Sequence, residues 1–274
     1  NTSFTGEDSL DISIDAGNGN SAGVAEFDAN ATSDALKVDG ISYTFPLGKA
    51  TVIVGDNTDG SALFTTACAY GGPGNTLDDC GNVNAGITNG GAAVGASYDF
   101  GSGFTAAVGY AAGETDMGTG LMTKETLDAY GFNAAYSTDT YGVSLTYGLV
   151  ETSSVYEDTF TAINAYYAPE GFPSISVGYE VGEDGSVLDS ELDALTSFFV
   201  GLTWAEVGPG SAGIALGTKT PTVEGTDEQF MYEAYYSYPM NDGMTITPLV
   251  FVKEHSNAAH DDETGVMVKS SFSS

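Results

Sequence analysis

The side chains best suited to acid–base or metal chemistry are few and lie close together. The chain has two histidines, His255 and His260, and both lie in a polar stretch with Asp261 and Asp262. Imidazole and carboxylate groups bind zinc and other divalent cations, so this stretch is either a loop-bound cation site or a solvated polar loop. No Ser-His-Asp arrangement, phosphate loop or dinucleotide fingerprint stands out. The sequence therefore predicts no enzyme, no catalytic residues and no resident cofactor.

The two cysteines form a second candidate feature. Cys68 and Cys80 lie in one loop rich in Gly, Asn and Asp. A pair spaced this closely in an exported chain predicts a disulfide, and closing such a loop stabilises it by about 3 kcal/mol in the chain-entropy model.

The charge balance excludes one class of partner. The 274 residues carry 38 Asp and Glu against 6 Lys and no Arg, which gives a formal net charge of -32. Nucleic acid is not an expected partner, because phosphate needs a basic surface. The acidity indicates either a solvated surface or a preference for cations in a pore or its mouth.

Alternating apolar and polar residues indicate that β-strands carry these side chains. Between Gly91 and Ala112, two runs of about ten residues alternate apolar with small or polar positions around the turn Gly101-Ser102-Gly103. This period of two, repeated along the chain, predicts antiparallel strands of a transmembrane β-barrel. Fifteen strands are predicted, near 9–16, 23–29, 36–47, 50–56, 91–100, 103–112, 126–137, 140–150, 158–168, 172–182, 195–205, 210–219, 228–238, 242–253 and 264–272.

The predicted connections alternate between short and long. From residue 36 onward, turns rich in Gly, Pro, Asn and Asp alternate with long connections at about 57–90, 113–125, 151–157, 183–194, 220–227 and 254–263. An outer-membrane barrel has short periplasmic turns and long external loops, so this alternation predicts an up-and-down barrel in a bacterial outer membrane.

Aromatic residues cluster near the short turns. This position predicts an aromatic girdle at one membrane interface rather than the core of a sandwich. The girdle residues are Phe45, Tyr98, Phe100, Phe104, Tyr136, Tyr141, Tyr167, Trp204, Tyr236 and Tyr238.

The phase of each strand assigns the pore lining. A charge on the lipid face near the membrane centre costs roughly 2–4 kcal/mol for Lys, so strand charges are expected to face the lumen. The predicted pore-lining residues are Asp11, Asp15, Asp99, Glu180, Glu233, Lys219, Lys253 and Lys269. They either create a transverse field across the channel or are isolated, solvated charges.

The connection at 57–90 is far longer than the others, and loops of this length are usually functional or disordered. Two arrangements stay open. The loop either folds into the barrel and places Asp56, Asp59, Asp78 and Asp79 at a constriction, or it lies outward as a disulfide-tied surface loop.

The strand count has a consequence for the start of the barrel. An odd number of strands places residue 1 outside, whereas single-chain bacterial barrels have even numbers. We therefore expect about 16 strands, with residues 1–274 forming one barrel domain that lacks at least one N-terminal strand.

Several segments resemble the outer-membrane porins of cyanobacteria, which are related to carbohydrate-selective porins and often labelled iron-uptake porins. The similar segments are 5–10, 15–18, 42–46, 50–55, 212–217, 236–238, 241–242, 246–248 and 264–272. The resemblance implies a passive, homotrimeric channel for small solutes and ions in outer-membrane lipid. It also implies an upstream S-layer-homology domain that binds the peptidoglycan-linked wall, together with a coiled coil, and residues 1–274 contain neither.

The chain departs from this family pattern in two ways. Ser273 and Ser274 follow Phe272, although such barrels commonly end on Phe, and Arg is absent, which puts any anion preference in doubt. The function expected from the sequence is a porin for small hydrophilic solutes with a cation bias. The alternative is an acidic extracellular structural β protein without a pore, either a sandwich or a surface-layer component.

Overall fold

The computed structural model describes residues 2–17, 32–87, 91–113, 123, 127–153, 155–185, 194–255 and 260–272, and this part of the chain is all-β. It contains no helix that is long and apolar enough to span a membrane. The strands are β1 (Ser9–Asp15), β2 (Lys37–Leu47), β3 (Ala50–Asp56), β4 (Ala92–Gly101), β5 (Phe104–Ala112), β6 (Asp128–Ser137), β7 (Tyr141–Ser153), β8 (Tyr156–Tyr167), β9 (Ser174–Glu183), β10 (Ala194–Val207), β11 (Gly210–Thr218), β12 (Thr222–Val223), β13 (Phe230–Asn241), β14 (Met244–Lys253) and β15 (Glu263–Phe272).

The fifteen strands form a single antiparallel up-and-down sheet. Each strand pairs with its neighbours in sequence, except that the two-residue β12 pairs with β10 and lies off the path, so β11 pairs with β13. Fourteen of the predicted strands are confirmed, β12 was not predicted, and the predicted strand at 23–29 lies outside the described residues. The described ranges thus contain fifteen strands, and the expected total of about sixteen, which includes a strand before residue 1, stays a prediction. Among the described strands, β1 pairs only with β2 and β15 only with β14, so the structure does not confirm a closed barrel.

Period-two alternation gives the sheet two different faces, as β9 shows clearly. Val177 and Tyr179 are 42% and 49% exposed, whereas Ser176 and Glu180, which point the other way, are each 1% exposed. We call the side that carries Val177 the exposed face and the side that carries Glu180 the loop face. Side chains alternate along a strand, so the apolar residues of each strand lie on one face of the sheet and the polar residues lie on the other.

All the connections at one end of the sheet are short. At that end the strands are joined by residues 48–49, 102–103, 138–140, 168–173, 208–209 and 242–243. At the other end, 57–91 is the longest connection. The predicted long connection at 151–157 is wrong, because β7 and β8 extend through it and leave only residues 154–155 between them.

The strand pairing also removes the basis on which a missing N-terminal strand was predicted, namely an odd number of strands. Ser9 pairs with Thr44, near the short turn that follows β2, and Phe272 pairs with Met244 beside another short turn. Both ends of the path therefore lie at the short-turn end of the sheet. The odd count depended on the predicted strand at 23–29, whereas β1 pairs directly with β2.

Candidate functional site

The loop that follows β3 crosses the loop face of the sheet. An extended segment, residues 65–69, presents every second backbone N–H to a polar side chain on a different strand. Serine and asparagine oxygens on the strands thus act as the acceptors that a neighbouring strand would otherwise supply. The bonds are Thr65 N to Asn133 Oδ1 at 2.9 Å, Ala67 N to Ser144 Oγ at 2.9 Å and Ala69 N to Ser176 Oγ at 2.8 Å.

Glycines on the strands permit this close crossing. A Cβ atom at Gly109 would overlap the carbonyl oxygen of Gly60, and one at Gly178 would overlap the carbonyl oxygen of Cys80. Glycine lets two backbones approach at these positions, as expected where another chain segment lies against a strand.

Glu180 of β9 anchors the second half of the loop. One carboxylate oxygen accepts hydrogen bonds from the backbone N–H groups of Asn84 and Ala85, each at 2.8 Å. The other accepts from the Asn84 side-chain amide at 2.8 Å. A carboxylate that is 1% exposed needs such donors to offset the loss of water.

Tyr70 anchors the first half of the loop. Its hydroxyl donates to Glu233 Oε1 of β13 at 2.5 Å, and its ring lies 5.2 Å from that of Phe199 and 5.6 Å from that of Tyr235. Burial, followed by the negative charge of Glu233, raises the pKa of Tyr70 above its ordinary value. With Leu77, Met231 and Leu249, these rings form the main buried apolar cluster.

The predicted disulfide is confirmed. Cys68 and Cys80 are bonded, with their Cα atoms 6.5 Å apart. The carbonyl oxygen of Cys80 also accepts a hydrogen bond from Asn164 Nδ2 of β8 at 2.8 Å. The disulfide therefore joins two parts of the loop that are each held separately on the loop face.

The four acidic residues expected at a constriction occupy different surroundings. Asp78 and Asp59 are exposed on the loop, whereas Asp79 is partly buried. The pKa of Asp79 is raised to about 7, mainly by burial and to a smaller extent by the charges of Asp78 and Glu180, while the hydrogen bond from the N–H of Gly81 acts in the opposite direction. Asp56 ends β3 on the same side as the exposed Val54 and so points away from the loop face.

The loop binds only some of the charges that were predicted to line a pore. Glu180 and Glu233 contact the loop directly, and Lys253 is 3% exposed with Nζ 5.9 Å from the ring centroid of Phe251. Lys219 Nζ donates to the carbonyl oxygen of Glu254 at 2.9 Å. The remaining four, Asp11, Asp15, Asp99 and Lys269, lie on β1, β4 and β15.

Asp11 and Asp99 have local hydrogen bonds. Asp11 Oδ2 accepts from Ser9 Oγ at 2.6 Å. Asp99 Oδ1 accepts from the N–H of Gly101 at 2.7 Å and so supports the short turn before β5. Their partners are nearby in sequence, unlike those of Glu180 and Glu233.

The described residues of the histidine stretch do not assemble a metal centre. The ring centroids of His255 and His260 are 4.7 Å apart, and the N–H of His255 donates to Asp262 Oδ1 at 3.1 Å. Within the described ranges, no group of three or more His, Cys, Asp or Glu side chains is arranged to hold a metal ion.

The aromatic residues near the short turns form a connected band. Phe104 and Tyr136 are directly paired with ring centroids 4.4 Å apart, and Tyr136 continues to Tyr141 at 5.8 Å. Tyr141 is paired in turn with Tyr167. The residues of the predicted girdle that are at least 39% exposed are Tyr98, Phe100, Phe104, Tyr141, Tyr167 and Tyr238.

A second aromatic group lies at the opposite ends of the strands and was not predicted. It comprises Tyr110 with Tyr130, at 5.4 Å between ring centroids, and Phe198 with Phe230, at 5.7 Å. On β13, Phe230 and Tyr238 are eight residues apart, or roughly 26 Å along the strand. This group could have been predicted from the sequence, because aromatic residues recur near the long-loop ends of the strands in phase with the apolar residues.

Comparison with known proteins identifies the fold but no family. No family model and no curated protein matches the chain. Among solved structures, a triple mutant of the Rhodopseudomonas blastica porin is similar at 15% sequence identity, with a TM-score of 0.60 over 89% of this chain and 80% of that one. A second mutant of the same porin gives 14% identity, a TM-score of 0.58 and the same coverage. The sheet is therefore porin-like.

Proposed function

We propose that this protein is a porin of a bacterial outer membrane, a water-filled channel for passive diffusion of small hydrophilic solutes and ions. The observation that carries the proposal is the opposite character of the two faces. The exposed face is apolar on successive strands, and the loop face carries buried polar groups such as Glu180, Glu233 and Lys253. A sheet surrounded by lipid and enclosing water needs this arrangement.

The exposed face matches the requirements of a lipid contact. Its large apolar side chains extend across β4 to β14, including Val94, Val143, Val177, Ile214 and Val250. The two aromatic groups lie at opposite ends of the strands. At the tilt of roughly 40° that is typical of outer-membrane barrels, their spacing of roughly 26 Å along β13 corresponds to a height of roughly 20 Å, which is comparable with an apolar band about 25 Å tall. Short turns would then lie in the periplasm and long loops outside.

A channel also requires the sheet to close, and the bonding of Leu10 supports two further strands. The N–H and C=O of Leu10 in β1 both bond to Thr2, at 2.7 and 2.9 Å, while Tyr43 of β2 lies opposite Leu10 on its other side. Thr2 therefore occupies the edge of β1 that faces away from β2. We propose that an extended segment leading into Thr2 continues along this edge as a strand.

The direction of that strand determines the size of the barrel. It would run toward the short-turn end, as β15 does, so antiparallel closure with β15 requires one more strand. Fourteen strands on the path plus two make sixteen, an even number like other single-chain bacterial barrels.

The alternative is that β1 pairs directly with β15. A cross-linking experiment distinguishes this arrangement from the sixteen-stranded barrel. In the variant Ser9→Cys/Ser271→Cys, a disulfide would form only if the strands are neighbours, because bonded cysteines have Cα atoms roughly 4.4–6.8 Å apart. Ser9→Cys/Lys269→Cys covers the adjacent register. We expect neither to cross-link; efficient cross-linking would establish direct closure.

Loop 57–87 would narrow the channel. It crosses the loop face from Thr65, bonded to Asn133 of β6, to Tyr70, bonded to Glu233 of β13. A covalently closed segment at this position restricts the lumen without contributing to the sheet.

A preference for cations follows from the charge. The net charge is -32, and Asp59 and Asp78 are exposed on the loop that would narrow the lumen. A channel lined by one sign of charge raises the local concentration of the opposite ion. A homotrimer, iron as a cargo and an upstream wall-binding domain are further parts of the proposal that rest on family resemblance alone.

The alternative, an acidic surface protein without a pore, expects polar exteriors on both faces. The exposed side chains Phe132, Leu145 and Ile163, each more than 50% exposed, count against it. No observation favours this alternative.

Liposome swelling tests diffusion directly. Liposomes containing the refolded protein should swell in isotonic sugar solutions, at rates that fall with increasing sugar size. Heat-denatured protein in matched liposomes provides the control. Equal rates for native and denatured protein would contradict the proposal.

A further inference from the structure

The disulfide between Cys68 and Cys80 lies on the wall of an open cavity in loop 57–87. The cavity has a volume of about 310 Å³, and both cysteines belong to its lining. Cys68 is partly exposed, whereas Cys80 is 1% exposed. An accessible disulfide exchanges with external thiols more readily than a fully buried one. Cys68 is therefore the half of the disulfide that a small molecule in the cavity reaches first.

The charged side chains at this cavity are acidic. Asp78 and Asp79 belong to its lining, and the described lining residues include neither Lys nor Arg. Glu180 on β9 adds a further negative charge near Asp79. A cleft with one sign of charge raises the association rate of oppositely charged molecules by roughly 10- to 1,000-fold. A thiol that carries an ammonium group is thus favoured here over a thiol that carries an acid.

The disulfide also closes a lobe of the loop, residues 69–79. Tyr70 and Leu77 in this lobe pack in the main apolar cluster with residues of β10, β13 and β14. Outside the lobe, the N–H of Ala67 bonds to β7 and the carbonyl oxygen of Cys80 accepts from β8. Opening the disulfide therefore separates the two ends of the lobe, while the loop on both sides stays attached to the sheet.

We propose that the Cys68–Cys80 disulfide is an exchange site for small organic thiols that carry an ammonium group, and that its reduction loosens lobe 69–79. The redox state of the disulfide then sets how firmly the lobe is held on the loop face. This inference goes beyond the proposed channel and does not depend on conduction.

The exchange consists of two steps. The thiolate of a first thiol attacks Cys68 Sγ, a bond forms between these two sulfurs, and the Cys68–Cys80 bond breaks with its electron pair on Cys80 Sγ. A second thiolate attacks the sulfur of the attached thiol, releases a small disulfide and leaves Cys68 as a thiolate. The protons that the two thiols lose on ionisation end on the two cysteines. Two thiols are thus oxidised to one disulfide as the protein disulfide is reduced.

Reduction rates of the refolded protein in detergent micelles test the charge preference. The probes are 2-aminoethanethiol (cationic), 2-mercaptoethanol (neutral) and 2-mercaptoethanesulfonate (anionic). The pH is about 8.5, where Asp79, whose pKa is raised to about 7, is ionised. Each rate is divided by the rate of the same thiol with bis(2-hydroxyethyl) disulfide, which removes differences in intrinsic reactivity. We expect the cationic thiol to exceed the anionic one by about tenfold or more, with the neutral thiol between them.

Variants separate the carboxylates of the cavity from the net charge of the protein. Asp78→Asn/Asp79→Asn should bring the ratio of cationic to anionic rates close to one. Asp56→Asn/Asp59→Asn removes the same charge outside the cavity lining and should keep the full ratio. If the first variant does not fold, as judged by heat-modifiable electrophoretic mobility, Asp78→Asn alone takes its place and should lower the ratio.

Two further measurements locate the attack and its effect. After rapid quenching with iodoacetamide, which caps Cys80, peptide mapping should find the attached thiol on Cys68. Chymotrypsin should cleave after Tyr70 and Leu77 about tenfold faster in the reduced protein than in the oxidised protein, because both side chains are buried while the lobe is docked. The variant Cys68→Ser/Cys80→Ser, which carries no cap, should be cleaved at the same enhanced rate.

Equal normalised rates for the three thiols would overturn the exchange site. The same holds for an unchanged ratio in the variant of Asp78 and Asp79, or for attachment of the thiol mainly to Cys80. Unchanged chymotrypsin cleavage after Tyr70 and Leu77 on reduction would overturn the loosening of the lobe.

Discussion

The backbone N–H of Ala85 donates to the carboxylate of Glu180 at 2.8 Å, across 95 residues of sequence. This bond joins the long loop to the centre of β9 at a point that water does not reach. The loop is therefore an integrated part of the loop face, and its position depends on a buried carboxylate rather than on its own sequence alone.

Removing that carboxylate should release the loop. In Glu180→Ala, the amides of Asn84 and Ala85 lose their acceptor, at a cost of roughly 1–3 kcal/mol in loop docking. We expect faster proteolysis within residues 57–87 and a higher single-channel conductance. Glu183→Ala, at the exposed end of the same strand, is the matched control. Identical cleavage rates in the two variants would show that Glu180 does not hold the loop.

Breaking the disulfide should affect the loop more than the sheet. The variant Cys68→Ser/Cys80→Ser loses a constraint worth about 3 kcal/mol in the chain-entropy model. Because Ala67, Ala69 and the carbonyl of Cys80 keep their bonds to the strands, docking should be weakened but retained. Limited proteolysis should accelerate in the loop, while the thermal midpoint of the β signal in circular dichroism shifts little. A large fall in that thermal midpoint would show that the disulfide stabilises the sheet as well as the loop.

The pH dependence of loop stability should have a defined sign. The pKa of Asp79 rises from 3.8 to about 7 because the carboxyl is buried. Between these values the docked loop binds more protons than the released loop, so docking weakens as the pH rises from about 4 to about 7. Cleavage by a protease that is active at both pH values should be faster at pH 8 than at pH 5. The variant Asp79→Asn should reduce this difference. Faster cleavage at pH 5 would contradict the assignment.

A charge on the exposed face should oppose insertion into lipid. Val177→Lys places an ammonium group at a position that is 42% exposed in the middle of β9, and a Lys near the bilayer midplane costs roughly 2–4 kcal/mol. Folding yield into lipid vesicles should fall, whereas Asp139→Lys in a short turn should fold normally. Equal yields would indicate that the exposed face does not contact lipid.

The sheet was largely predictable from the sequence because its signal is local. Alternation such as Ile175, Val177, Tyr179 and Val181 around Glu180 identifies both a strand and its faces, and short turns identify their ends. The exception at 151–157 arose because polar residues such as Glu151 and Ser153 continue a strand beyond its apolar section. Polarity alone does not end a strand whose backbone remains paired.

The position of the loop could not be read from its own residues. Its anchors are single polar side chains, Asn133, Ser144 and Ser176, on three different strands, and their role appears only when the register brings them into line. The disulfide was predictable from spacing. The burial of Asp79 near the charge of Glu180 was not, because it depends on where the loop docks on the sheet.

Single-channel recording in a planar bilayer, with a salt gradient to obtain the reversal potential, tests the central claim most directly. Purified protein, verified as folded by its heat-modifiable mobility, should produce stepwise conductance increases and a reversal potential on the cation-selective side. Folded protein that inserts into the bilayer without conducting would contradict the channel, and a clear anion preference would contradict the selectivity inferred from the acidic loop.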